Sequence, residues 1–270
     1  MKRILFFVVF LTMGLSLDAQ DFAIEQLEKS PRHHEWVGVE YDGRTVYSFV
    51  TYPQESEATR AVIVIHENRG LTDLVRSFSD RLAGEGYLVI APDMLSNFDK
   101  VHEKTSDFET SDAARNAIYE LDPGQITADL NAVYESVREH PASTGEVYVM
   151  GFCWGGSQTF RYATNNPDIQ GALVFYGTAP DDYPRISKIG APVYGFYGGN
   201  DNRVNATIEA TEQLMNKAGK VYQYEIYPGA GHAYMRHGAD PEGSPENKKA
   251  REDSWTRSEE RRVGKECATG

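Results

Sequence analysis

The chain has 270 residues, 40% of them apolar, with a formal net charge of -13 and two cysteines. That length supports one sizeable hydrophobic core, and aromatic and β-branched residues recur too often for a disordered chain. The acidic excess argues against nucleic acid or an anionic membrane surface as a partner.

In chain order, MKRILFFVVFLTMGLSLDAQ places Lys2 and Arg3 before an apolar stretch from Ile4 to Met13 and a more polar exit near Ala19. This is the layout of a secretory signal peptide over residues 1–19, with an apolar part too short to span a bilayer comfortably. The expectation is an exported bacterial protein, periplasmic or secreted, with no stable membrane insertion after cleavage. EWVGVEYDGRTVYSFVTYP alternates apolar and polar residues around Asp42-Gly43 and predicts a hairpin. AVIVIHENRG opens with a continuous apolar run, which suits a fully buried strand. LVRSFSDRLAGEG has helical spacing and a glycine stop, and YLVIAPD is a second short strand. Residues 96–121 are polar and acidic, an excursion over one face. In GQITADLNAVYESVREH, Ile126, Leu130, Val133 and Val137 recur at helical spacing. Then follow strand EVYVM, the turn GFC, helix SQTFRYATNN, strand GALVFYG, strand APVYGFYGGND, helix NATIEATEQLMNKAG, strand VYQYEIY and a closing helix from about Pro245. Alternating strands and helices of this length predict an α/β fold: a mostly parallel central sheet with helices on both faces.

The closing segment stays polar where a helix should supply apolar residues, and RSEERRVGKEC resembles the translation of a common sequencing-adapter sequence. The expected organisation is therefore one domain over 20–256, followed by a non-native tail, 257–270, that holds Cys267. A disulfide between Cys153 and Cys267 competes directly with a reactive Cys153, because a paired sulfur cannot attack.

Chemistry in a parallel open sheet collects beyond the carboxyl ends of its strands. Four apolar runs here end in useful groups: His66-Glu67, Cys153, Asp201 and His232. A strand turning sharply into a helix needs small residues around the bend, which Gly151, Gly155 and Gly156 supply. The helix N-terminus would favour a thiolate at Cys153, and the Trp154 N–H would face an oxyanion formed on attack. His232, which follows Gly229 and Gly231 in PGAGH, is the natural base, and Asp201 could orient its ring. Each residue also has a plainer reading: a buried cysteine in a turn, a surface-loop histidine, and an Asx-turn aspartate in GGNDN. The nucleophile–acid–histidine order at successive strand ends favours the catalytic reading. Glu67 could equally serve in an ion pair with Arg69, and His66 could pack or orient its loop. A metal site from His66, Glu67 and His232 lacks any spacing of the H-E-x-x-H kind; no metal and no cofactor are expected.

GFCWGG, GGND and PGAGHAYMR together resemble the dienelactone hydrolase family of the α/β-hydrolase superfamily, over roughly Val37 to Trp255. The resemblance implies Cys153, Asp201 and His232 as the triad, Glu67 pairing with the resting thiol, and the amides of Asn68 and Trp154 as the oxyanion hole. It also implies a carboxylate-gripping arginine at Arg236. A second arginine of the family pattern is missing from APDMLSNFD, where Asn97 or Ser96 stands, and Arg115 is a candidate substitute. Trp154, Tyr234 and Phe152 suggest an aromatic-lined pocket or core beside the nucleophile, and Trp154 and Tyr234 are candidate substrate contacts. The expected activity is hydrolysis of a small ester or lactone, anionic or neutral, through a cysteine acyl-enzyme. The alternatives are a non-catalytic binding protein on the same fold and a cysteine peptidase. A monomer is expected, with a dimer left open.

Overall fold

The computed structural model describes residues 18–262. The expected leader falls outside the described residues up to residue 17, and Cys267 also lies outside them. The first described element is helix α1 (Asp18–Glu28), which the sequence reading left unassigned. It buries Ala23 and Leu27, and Gln26 donates to the Ser77 carbonyl of the neighbouring helix.

The hairpin forms as β1 (His34–Tyr41) and β2 (Arg44–Thr51), with both turn residues, Asp42 and Gly43, at positive φ. That is what a two-residue turn matching the strand twist requires. Then come β3 (Thr59–Ile65), α2 (Asp73–Ala83), β4 (Leu88–Pro92), α3 (Ser111–Glu120), α4 (Pro123–Arg138), β5 (Ser143–Phe152) and α5 (Trp154–Ala163). The chain continues through β6 (Gly171–Phe175), α6 (Tyr183–Ile186), β7 (Val193–Gly198), α7 (Asn202–Asn205), α8 (Ile208–Lys217), β8 (Tyr222–Tyr227), α9 (Tyr234–His237) and α10 (Pro245–Arg262). The sheet order is β1-β2-β4-β3-β5-β6-β7-β8. β1–β2 and β2–β4 pair antiparallel, and every pair from β4 to β8 is parallel.

The apolar runs read as buried strands divide between two cores by their period of two. In β3, Ala61, Ile63 and Ile65 join Leu130, Val133 and Val137 of α4 on one face. Val62 and Val64 join Val75, Phe78 and Leu82 of α2 and Trp255 of α10 on the other. All four apolar positions picked out in α4 are buried, and Asp122 caps that helix by accepting from the Gln125 N–H. The closing helix runs on through Arg262. Arg257 pairs with Glu225 of β8, and Ser258 and Arg262 are buried. Among the described residues no helix is long and apolar enough to cross a membrane.

Candidate active site

Strand register decides which loop ends become neighbours. Ile65 pairs with Gly151 and Phe152 with Phe175, so the ends of β3, β5 and β6 lie side by side. Glu67, Cys153 and Tyr176 are therefore brought together, although the first and last lie 109 positions apart in the chain. β7 and β8 follow in register, with Gly198 opposite Tyr227, and carry Asp201 and His232 to the same edge.

Cys153 sits between β5 and α5 at φ 54° and ψ -114°, a conformation that L-residues rarely adopt. Such backbone strain costs about 1–3 kcal/mol and persists only where surrounding packing enforces it. Here the Cys153 N–H donates to the Phe175 carbonyl at 3.0 Å, and the Ser157 N–H to the Cys153 carbonyl at 3.1 Å. The close approach of α5 to the sheet depends on glycine. A Cβ at Gly155 would lie 2.3 Å from the carbonyl oxygens of both His66 and Ile65, and one at Gly151 would lie 2.3 Å from the Gly155 carbonyl oxygen.

The Cys153 Sγ lies 3.1 Å from His232 Nε2, and His232 Nδ1 lies 2.5 Å from Asp201 Oδ2. Asp201 is buried, and its other oxygen caps α7 by accepting from the Val204 N–H. The carboxylate is thus fixed by its own helix start and holds the imidazole with Nε2 facing the sulfur. Two contacts tie the histidine loop to the aspartate loop: the Asn200 N–H donates to the Ala230 carbonyl and the Asn200 side chain to the Gly229 carbonyl, each at 2.9 Å. Burial, followed by the Glu67 charge, pushes the Cys153 thiol up to about 11, against the opposing pull of the Trp154 N–H, Arg203 and Arg236. At neutral pH the resting sulfur is therefore held as the thiol, within hydrogen-bond reach of His232 Nε2.

Glu67 departs from the expected pairing with the thiol. Its carboxylate accepts from the Tyr176 hydroxyl at 3.3 Å and lies 3.2 Å from Arg236 Nε. A guanidinium and a phenol offer a carboxylate stronger partners than a thiol does. Burial raises the Glu67 pKa, with Arg236 and then Tyr176 opposing it. Glu67→Gln is expected to raise the rate of Cys153 alkylation by iodoacetamide at pH 8 by about three- to tenfold, since one pKa unit is a factor of ten in thiolate. The sign follows from the shift: a raised thiol pKa moves reactivity to higher pH, and removing the Glu67 charge moves it back down. An alkylation–pH profile identical to the wild type's would take Glu67 out of thiol control.

Tyr176 is the residue that sequence reading missed. It follows the apolar run GALVFYG at the end of β6, so the strand-end rule that found the others would have reached it. Its φ is 42°, its side chain is buried, and its ring packs edge-on to His232 at 5.1 Å.

Trp154 stacks on His66 with ring centroids 5.6 Å apart and packs beside Leu95, Ala114, Ala117 and Ile118. The excursion thus lies against the loop and helix start that carry the expected oxyanion donors. The Asn68 side chain donates to the Tyr119 hydroxyl at 3.0 Å, and Arg69 contacts Ser111 and Asp112 of α3.

Three expected substrate contacts are placed elsewhere. Tyr234 has no exposed surface and packs on Tyr176 and Tyr227, so it belongs to the core. Asn97, at φ 48°, uses its side-chain amide on the Thr45 carbonyl at 2.9 Å and pins the turn after β4 to β2. Arg115 pairs with Asp112 within its own helix at 3.8 Å. Arg236 does lie beside the site, already paired with Glu67. Among the described residues no group of three or more His, Cys, Asp or Glu side chains is arranged to hold a metal ion.

A mostly parallel sheet between helical layers, with a cysteine at the strand–helix elbow, a histidine on its sulfur and an aspartate behind it, defines an α/β-hydrolase with a cysteine nucleophile. The dienelactone hydrolase family profile matches residues 46–260, and the chain belongs to that family. A protein of Saccharolobus solfataricus named "Putative carboxymethylenebutenolidase" is 32% identical over 247 residues, 80% of this chain and 93% of the relative. Among solved structures, a "Putative Dienelactone Hydrolase" from Klebsiella pneumoniae superposes with a TM-score of 0.73 at 24% identity, over 84% of this chain and 96% of the other. A dienelactone hydrolase from Anabaena variabilis superposes with a TM-score of 0.62 at 18% identity, over 83% and 96%. These two likenesses concern the fold.

Proposed function

We propose that the protein hydrolyses a small ester or lactone that carries a carboxylate, through a thioester on Cys153. The observation that carries the reading is the continuous chain of contacts from the Cys153 sulfur through His232 to Asp201, assembled at three strand ends. As the sulfur attacks the substrate carbonyl carbon, its proton passes to His232 Nε2, and the carbonyl electrons move onto oxygen. The amides of Asn68 and Trp154 stabilise that oxyanion. Collapse breaks the bond to the leaving oxygen, which takes the proton from His232. A water then gives a proton to His232 and attacks the thioester; the second collapse releases the acid and returns the proton to sulfur. Asp201 holds Nδ1 of the ring throughout and stabilises the imidazolium.

The carboxylate preference rests on Arg236. Its guanidinium is partly exposed and, among the described residues, is engaged by Glu67 alone, which leaves donors for a substrate anion. The test is a panel of aryl esters and small lactones, with and without a carboxylate, on wild type and Arg236→Met. The variant is expected to lose about ten- to a hundredfold in kcat/KM on the carboxylate-bearing members, the range for a charged hydrogen bond, and distinctly less on neutral ones. Equal losses on both groups, or a wild-type preference for neutral esters, would remove the anionic part of the reading.

A further inference from the structure

The peptide that joins Glu67 to Asn68 carries both the Glu67 carbonyl and the Asn68 N–H. No peptide among the described residues is cis, so these two groups point in opposite directions. The carbonyl is held at two places. His66 Nδ1 lies 2.7 Å from it, and the Gly70 N–H donates to it at 3.3 Å. The second nitrogen of His66 fixes the tautomer. The Met94 N–H donates to His66 Nε2 at 3.0 Å; an amide N–H can only donate, so Nε2 is the bare nitrogen and the ring proton sits on Nδ1. His66 has no exposed surface, and burial lowers its pKa, with the nearby Asp93 charge opposing. The ring is therefore a neutral donor toward the Glu67 carbonyl. Its face lies against the indole of Trp154, at 5.6 Å and 16°.

The peptide that carries one assigned oxyanion donor and the side chain of the residue that carries the other thus both touch the His66 ring. On the Asn68 side, His66 fixes the plane of the peptide, and the Asn68 N–H is left without an acceptor among the described residues. On the Trp154 side, it braces the residue whose N–H faces the sulfur. The next contact closes the assembly: α5 can approach the His66 carbonyl only because position 155 is glycine.

We propose that His66 is a positioning residue for the oxyanion hole, aiming the Asn68 N–H through the Glu67 carbonyl and steadying Trp154 by stacking. This rests on the acyl-transfer reading above and extends it to a residue that touches neither thiol nor substrate.

Two variants separate positioning from general support. In His66→Gln the side-chain oxygen can reach the Nε2 position and accept from Met94, but the donor to the Glu67 carbonyl is lost. In His66→Asn the side-chain amide lies near the Nδ1 position and keeps that donor. The comparison uses two reactions of the same sulfur: acylation by 4-nitrophenyl acetate, which builds an oxyanion, and alkylation by iodoacetamide, which displaces iodide and builds none. His66→Gln is expected to slow acylation and kcat by about ten- to a hundredfold, a part of what loss of an oxyanion donor removes, with KM changed by less than about threefold. Alkylation should stay within about twofold of wild type, and His66→Asn should recover most of the lost acylation rate. Wild-type acylation in His66→Gln, or acylation and alkylation falling together in both variants, would overturn the positioning role. A wild-type enzyme that is alkylated but never acylated would overturn the acyl-transfer reading itself, and the role of His66 with it.

Discussion

Cys153→Ala is expected to lower kcat for ester hydrolysis by about 10⁴-fold or more, the scale on which loss of a triad nucleophile acts. The fold should survive the change. Alanine carries the same Cβ through the φ of 54°, so the backbone strain is unaltered, and the sulfur is a minor member at the edge of its core cluster. Steady-state hydrolysis of an aryl ester gives the rate, and intact mass after a brief exposure gives the intermediate: wild type should carry one acyl group, and the variant none. His232 cannot rescue turnover alone, because the site's geometry aims its Nε2 at the sulfur. Hydrolysis within about tenfold of wild type, at matched purity, would falsify the assignment of Cys153 as nucleophile.

Gly155→Ala is expected to injure both stability and activity. The added methyl would lie 2.3 Å from two backbone oxygens at the end of β3. Neither oxygen can rotate away as a side chain would, so either α5 or the end of β3 must shift. Overpacking of this kind costs about 3 kcal/mol, which for a domain of this size lowers Tm by roughly 6–12 °C. Activity should fall further than the stability loss explains, by about a hundredfold, because a displacement near 1 Å at the oxyanion donors is enough for that. Thermal unfolding and kcat on the purified variant check the two effects separately. A variant with wild-type Tm and wild-type kcat would mean that the elbow accommodates a side chain at 155, and that the contact with His66 does not govern the donors.

The same contact explains why the hexapeptide GFCWGG is informative as a sequence but incomplete. The glycines reported that something approaches the bend; they did not report what. Gly155 meets the end of β3, 90 residues earlier, and Gly156 meets the Phe175 carbonyl of β6. Such partners follow from strand order, and the order β4-β3-β5-β6 is not chain order.

By itself, the sequence determined the architecture and the reacting groups. Continuous apolar runs between helices of regular spacing specify buried parallel strands, because only an all-apolar strand can serve two cores at once. Polar residues at the ends of those runs are where such a sheet leaves backbone and side chains free for chemistry. Cys153, Asp201, His232 and Glu67 were all legible on that ground. The tertiary structure decided what each group does at rest. Glu67 was expected on the thiol and is found with Arg236 and Tyr176, a choice set by which charged and hydroxyl partners the loops after β6 and β8 bring within 3.3 Å. Tyr234 and Asn97 were expected at the substrate and are absorbed by the core and by a turn, because burial and backbone hydrogen bonding depend on neighbours distant in the chain. The role inferred for His66 likewise comes from three partners, Glu67, Met94 and Trp154, that only the folded chain places around one ring.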